Sequence, residues 1–264
     1  MPDNDDSRLL ALQSEYWEAF TLDALRRAGI APGMRVLDLG CGDGALSMAA
    51  ASLVGPAGEV VGVDRDAELV ERATSRAAAS ELANIEFVAA ELRMFEPPGT
   101  FDAFIGRFVL MHLADPSASL RRLTPALRQG GAVAFVELDW VAARTVPSVP
   151  LVEETLDLIR DSLRRAGIAT DLGPRLWRIY RTIGIREIDV RIETRAEPAP
   201  APHACELIAE TVRSILPLVE RFGIARAADV DLDTLASRLR DALLERQATL
   251  LPPTAAGATG RLFT

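Results

Sequence analysis

The sequence predicts an α/β fold in which a mostly parallel sheet is covered by helices on both faces. Three observations predict it. Short apolar runs alternate with amphipathic stretches between Arg35 and Leu138, Gly- and Pro-rich turns separate them, and the glycine-rich segment Gly40-Cys41-Gly42-Asp43-Gly44 stands where the first apolar run meets a helix. With 264 residues, 49% hydrophobic and 25% charged, the chain has the makeup of an ordinary globular protein and the length for a large α/β core with additions.

Each element has its own signal. Leu9, Leu10, Leu12, Tyr16, Trp17, Phe20 and Leu25 recur at helical spacing between Ser7 and Gly29, and Ala31-Pro32-Gly33 ends that stretch. Arg35 to Leu39 reads as a buried strand, and Asp43 to Val54 as the helix after it. The turn Gly55-Pro56-Ala57-Gly58 leads to a strand at Val60 to Val63, a helix at Asp66 to Ser80 and a strand at Ile85 to Val88. Past Pro97-Pro98-Gly99, a strand is expected at Asp102 to Gly106, a helix at Pro116 to Arg128 and, after Gly130-Gly131, a strand at Ala132 to Leu138.

Beyond Trp140 the pattern loosens. Helices are expected at Leu151 to Ala166 and Gly173 to Ile183, then an alternating strand at Arg186 to Glu193 and a stiff Ala-Pro connector from Glu197 to Pro202. Helices at Ala204 to Phe222 and Asp231 to Gln247 precede an apolar, turn-containing segment from Leu250 to Phe263. The expected organisation is an N-terminal helical cap (1–30), a ligand-binding core (31–145), and a region of acceptor-pocket helices and final strands (146–264) with a helical insertion at 196–249.

The net charge of −9 and pI near 4.9 argue against a nucleic-acid partner, since a phosphate backbone is bound through clustered positive charge. All 29 basic Lys/Arg positions are arginine, a bias from which no function is read. The acidic start Met1-Pro2-Asp3-Asn4-Asp5-Asp6 lacks an export signal, and the apolar stretch from Ala45 to Val54 is too short to span a bilayer. A cytoplasmic protein without membrane contact is expected. The cysteines, Cys41 and Cys205, form neither a disulfide framework nor a metal-type pair, so no metal is expected.

Gly40, Gly42 and Gly44 between a strand and a helix let a ligand approach the backbone and the free amides of the helix start. The spacing G-x-G-x-G differs from the dinucleotide fingerprint G-x-G-x-x-G, and an acid, Asp38, precedes it. An acid there suits an ammonium. Asp64, at the end of the second strand, can accept two hydrogen bonds from a ribose diol. Ammonium, carboxylate and ribose together describe an amino acid joined to a nucleoside.

On these residues, Gly33 to Asp64 resembles class I S-adenosylmethionine-dependent methyltransferases, particularly the small-molecule group of ubiquinone and menaquinone biosynthesis; the resemblance is good over about residues 30–140. It implies a Rossmann-like methyltransferase fold with a seven-stranded sheet, and S-adenosyl-L-methionine as cofactor. It implies that Asp38, Gly40, Cys41 and Gly42 line the methionine part, that Asp64 with Arg65 holds the ribose, and that Glu91 and Leu92 meet the adenine where the family usually has an Asp. Gly106-Arg107-Phe108 matches the segment that closes over the cofactor, with Arg107 the contact.

His112, one of two histidines, is a candidate general base; the position equally suits a helix cap or packing beneath the cofactor. His203 is expected in a loop. Glu137, Asp139 and Trp140 leave the fifth strand on the ligand-binding edge, where Asp139 and Trp140 suit an acceptor and Asp139 also suits a cap or an arginine partner. Tyr16 is a candidate lid over the cofactor and Trp17 a candidate acceptor contact, or both are buried in a helix face. Arg144, Arg175 and Arg178 are surface arginines or an acid clamp. The expected function is methyl transfer to a small-molecule acceptor, as in secondary metabolism, by a monomer or homodimer. The alternative is a catalyst of cyclisation or rearrangement that binds the same cofactor and keeps the methyl group.

Overall fold

A computed structural model describes residues 7–226 and 230–263. Its first half comprises α1 (Ser7–Arg27), β1 (Arg35–Leu39), α2 (Ala45–Val54), β2 (Glu59–Asp64), α3 (Ala67–Ala79), β3 (Ile85–Ala89), β4 (Phe101–Arg107), α4 (Pro116–Leu123) and β5 (Leu127–Asp139). There follow β6 (Arg144–Val146), α5 (Pro150–Arg165), α6 (Leu172–Thr182), β7 (Ile185–Glu193), β8 (Glu197–Pro198), α7 (Pro202–Arg221), α8 (Leu232–Arg246), β9 (Thr249–Leu251) and β10 (Thr254–Leu262).

The chain divides into two compact units. One holds Glu18–Glu137, Leu172–Ile192 and the segment from Ala256 onward; the other holds the segment ending at Trp17, Leu138–Asp171 and Glu193–Ala255. Both are discontinuous in sequence, so neither coincides with the contiguous segments 31–145 and 146–264 expected above.

The first unit contains a seven-stranded sheet in the order β3-β2-β1-β4-β5-β10-β7. The pairs β2–β3, β1–β2, β1–β4 and β4–β5 are parallel. Val36, Leu37, Val60, Val61, Ala103 and Ile105 are all buried, as strands covered on both faces require. Leu25 and Ala28 join Leu46, Ala50 and Val54 of α2 in a cluster with Val36, Val60, Ile105 and Ala134. The winding direction reverses between β1 and β4, and in sheets of this kind ligands bind outside the carboxyl ends of the strands at that switch point. Those ends are Asp38 to Gly44 and Arg107 to His112.

Several expected boundaries move. The helix expected to reach Arg128 stops at Leu123, because Pro125 offers no amide hydrogen and crowds the preceding turn; Thr124–Ala126 is a short 3-10 turn. The fifth strand starts at Leu127, since a bulge sets Phe101 opposite Leu127 but Ala103 opposite Ala132 and absorbs Gly130-Gly131. The segment from Leu250 resolves into β9 and β10, and β10 is a full member of the large sheet.

The second unit packs α5, α7 and α8 together through buried Leu156, Ile159, Ile208, Val212, Leu239 and Leu243, beside a small sheet ordered β6-β9-β8. The Ala-Pro run is therefore not only a connector: Glu197 and Pro198 pair antiparallel with Leu250 and Thr249. Among the described residues, no helix is long and apolar enough to cross a membrane.

Candidate functional site

Asp38 lies in β1 among buried apolar neighbours and is itself fully buried. Ser47 Oγ, in the first turn of α2, donates to its Oδ2 at 2.5 Å. Its Oδ1 is buried without a hydrogen-bond partner, an expensive condition for a carboxylate oxygen. Burial pushes this carboxyl up to about 7; the Ser47 hydrogen bond and the Arg107 charge oppose the rise, and Asp64 adds to it.

The loop after β1 runs left-handed at each glycine, with φ of 70° at Gly40, 53° at Gly42 and 81° at Gly44, a region that glycine alone enters without strain. Two further reasons separate these positions. A side chain on Gly40 would meet Val109 Cγ2 at 2.3 Å, and one on Gly44 would meet Phe87 Cζ at 2.8 Å, so the protein itself fills the space beside them. Around a Cβ on Gly42, by contrast, nothing lies within 4 Å. Cys41 is buried, and burial, then the charges of Asp38 and Asp64, push its thiol well above the usual range, which makes it an inert wall.

Asp64 ends β2 and ties two loops together. Its Oδ2 accepts from the Gly42 amide at 2.9 Å and its Oδ1 from the Asp66 amide at 3.0 Å, leaving a lone pair on each oxygen for a ligand. Its carbonyl accepts from Ala90 N at 2.7 Å, which brings the end of β3 alongside. Arg65 is exposed, Glu91 is exposed and Leu92 half-buried. The Glu91 carbonyl accepts from Met94 N and Phe95 N at 2.8 and 2.9 Å, fixing a tight turn.

At the end of β4, burial lowers the pKa of half-buried Arg107 against the opposing charges of Asp38, Asp43 and Glu18, and its guanidinium lies 5.6 Å from the Phe108 ring centre. Phe108 adopts φ 55°, strained for a bulky side chain. His112 closes the 3-10 turn Leu110–His112 with its side chain exposed at the surface. Crowding by protein atoms around the ring, then the positive charge of Arg65, lower its pKa, and Asp64 opposes them. Glu137, fully buried, aims its carboxylate at the amides of Val109, Leu110 and Met111. It is thus turned onto the backbone.

The structure therefore brings Asp38, the Gly40–Gly42 loop, Asp64, Arg107 and His112 together, with Arg65, Glu91 and Leu92 on the neighbouring strand ends. The set fits a methionyl nucleoside. Asp38 Oδ1 lacks the donor that an α-ammonium would provide, Gly42 leaves open space against bare backbone, and Asp64 presents paired acceptors for a diol.

Tyr16, Trp17, Asp139 and Trp140 belong to the other unit. Tyr16 is buried and donates to Glu197, whose other oxygen accepts from Ala204 N at 3.2 Å; burial and then Glu197 push its phenol well up. Arg195 stacks over the Tyr16 ring at 4.3 Å and the Trp17 ring at 5.4 Å. Asp139 accepts from Val141 N at 2.9 Å. Trp140 is buried, with its amide on Thr170 O at 2.9 Å. His203, exposed, lines a shallow open depression of about 490 Å³ with Arg195, Glu197 and Pro198. Arg144, Arg175 and Arg178 are exposed.

Sequence reasoning missed Ser47 and the direction of Glu137. The signal for Ser47 was a hydroxyl in a helix first turn beside a buried acid; for Glu137 it was a charge at the end of an otherwise apolar run.

Residues 30–171 match a protein family described as a methyltransferase domain. The ubiquinone/menaquinone biosynthesis C-methyltransferase UbiE of Hahella chejuensis is 31% identical over 144 residues, 54% of this chain and 54% of that protein. The aklanonic acid methyltransferase DauC of a Streptomyces species is 35% identical over 122 residues, 45% of this chain and 54% of that protein. The chain spans about half the length of these curated relatives. The YcgJ protein of Bacillus subtilis has a similar fold, with a TM-score of 0.60 at 17% identity over 93% of this chain and 99% of that one.

Proposed function

Since the chain belongs to this methyltransferase domain family, in the class I S-adenosylmethionine-dependent group, we propose that it transfers a methyl group from S-adenosylmethionine to a small-molecule acceptor. The observation that carries the reading is the unpartnered buried oxygen of Asp38 behind a glycine loop that Asp64 holds from the next strand.

When bound, S-adenosylmethionine supplies an electrophilic methyl on a sulfonium, whose displacement depends on alignment and dryness more than on acid–base help. Asp38 would hold the ammonium, the backbone at Gly40 to Gly42 the methionyl chain, and Asp64 the ribose. Glu91 and Leu92 would flank the base, and Arg65 and Arg107 the rim. His112 would take a proton from an acceptor that carries one. The charge of −9 supports action on a small molecule rather than on nucleic acid, and we place the protein in the cytoplasm, off the membrane, as a monomer or homodimer.

Calorimetric titration with S-adenosylmethionine, followed by turnover with quinone-like and phenolic acceptors, tests the reading. Saturable binding with S-adenosylhomocysteine and a product heavier by one methylene are expected. Binding with an altered acceptor but no S-adenosylhomocysteine would assign a methyl-retaining catalyst, and absence of binding would overturn the cofactor assignment.

A further inference from the structure

Glu137 ends the buried run of β5 with both carboxylate oxygens engaged by one stretch of backbone. Oε1 accepts from Val109 N at 3.1 Å and Leu110 N at 2.8 Å, and Oε2 accepts from Met111 N at 3.2 Å. Three consecutive amides at the start of a tight turn have no partners within the turn itself, and in a dry location each needs an acceptor. A carboxylate is the one side chain that accepts at both of its terminal atoms.

The turn matters because of what it carries. Val109 packs against Gly40 so closely that a side chain there would meet its Cγ2 at 2.3 Å. His112, at the other end, donates its amide to Val109 O at 3.1 Å. The seating of the glycine loop and the placing of His112 therefore depend on one turn, and the acceptor of its amides sits on a different strand, 26 to 28 residues away in sequence.

We propose that Glu137 is a positioning residue for the cofactor loop: by holding the amides of Val109, Leu110 and Met111 it keeps Val109 seated on Gly40. The affinity part of this inference rests on the S-adenosylmethionine reading; the geometric part does not.

The test is Glu137→Gln, which preserves shape and one acceptor oxygen but turns an NH2 toward an amide. Thermal melting should show a folded protein, amide exchange at Val109 to Met111 and at Cys41 to Gly44 should accelerate about tenfold, and the Kd for S-adenosylmethionine should rise about tenfold, as for one lost buried hydrogen bond. Val109→Ala should weaken binding as well, and the double variant should bind no worse than Glu137→Gln alone, since the two act through one contact. Additive losses, or accelerated exchange in the turn with an unchanged glycine loop, would overturn the proposal. Should the parent protein not bind S-adenosylmethionine, the functional reading fails, while exchange in the loop and turn still decides the role of Glu137.

Discussion

Asp38 is a buried acid held ready for a partner. Its carboxyl is pushed up to about 7 by burial, whereas a bound ammonium favours the ionised form. Affinity for S-adenosylmethionine should therefore tighten as pH rises from 5.5 to 7.5, with Kd changing by roughly tenfold per unit below pH 7. Calorimetry on the parent and on Asp38→Asn checks this; the variant should bind weakly with no such slope. Asp64→Ala removes the acceptors of the Gly42 and Asp66 amides together with the proposed ribose contact, and should weaken binding by roughly a hundredfold, the scale of two hydrogen bonds, in a protein that still folds. Affinity within a factor of two of the parent would remove Asp64 from the site. His112→Ala addresses chemistry alone: if it is the base, single-turnover methyl transfer at saturating cofactor falls by about a hundredfold or more, and an unchanged rate assigns the position to packing. Asp38 was legible in the sequence as an acid within an apolar strand that runs into a glycine loop, and Asp64 as an acid ending the next apolar strand. Glu137 was legible only as an acid at a strand end, because its partners lie on another strand and are backbone amides, which leave no mark on side-chain identity.

At the scale of elements, the β1–loop–α2 unit uses its glycines differently, and substitution should separate them. Gly40→Ala adds a methyl against Val109 at 2.3 Å and forces a left-handed alanine, so it should cost several kcal/mol in denaturant unfolding. Gly42→Ala meets nothing within 4 Å and carries mainly the left-handed penalty of about 1–2 kcal/mol, yet it should weaken cofactor binding by about tenfold or more because its methyl enters the open space. Equal stability losses would contradict this division. The strands of the sheet were readable where burial on both faces writes a continuous apolar run, as in Val60 to Val63. Strands of two or three residues, such as Glu197–Pro198 and Thr249–Leu251, carry too few side chains to show a period. The early start of β5 was hidden by the bulge, because Leu127 and Arg128 read as the end of a helix and Gly130-Gly131 as a turn.

Across the whole molecule, the buried acid Asp38 sets a pH dependence of stability. Burial raises Asp38 to about 7, so between about pH 4 and 7 the unfolded chain releases a proton that the folded chain keeps. A raised carboxylate pKa means stability is greatest where folded and unfolded chains are both protonated and declines as pH rises through that window, by on the order of a few kcal/mol. Without cofactor, the melting temperature should fall from pH 5 to pH 8, and Asp38→Asn should flatten the fall. An unaltered slope would place its origin elsewhere. A last sheet strand after a helical insertion was expected from the family resemblance, but the residues of β10, an apolar segment broken by turns, do not themselves show that it lies beside β5 and β7. That placement governs the order of events during synthesis. β7 ends at Glu193, whereas its neighbour in the sheet, β10, begins at Thr254, so a nascent chain carries β7 as an unpaired edge until the later strand leaves the ribosome. Closing so long an intervening loop slows folding, and the interval in which that edge stands open is when the protein is most exposed to misassembly and most in need of a chaperone.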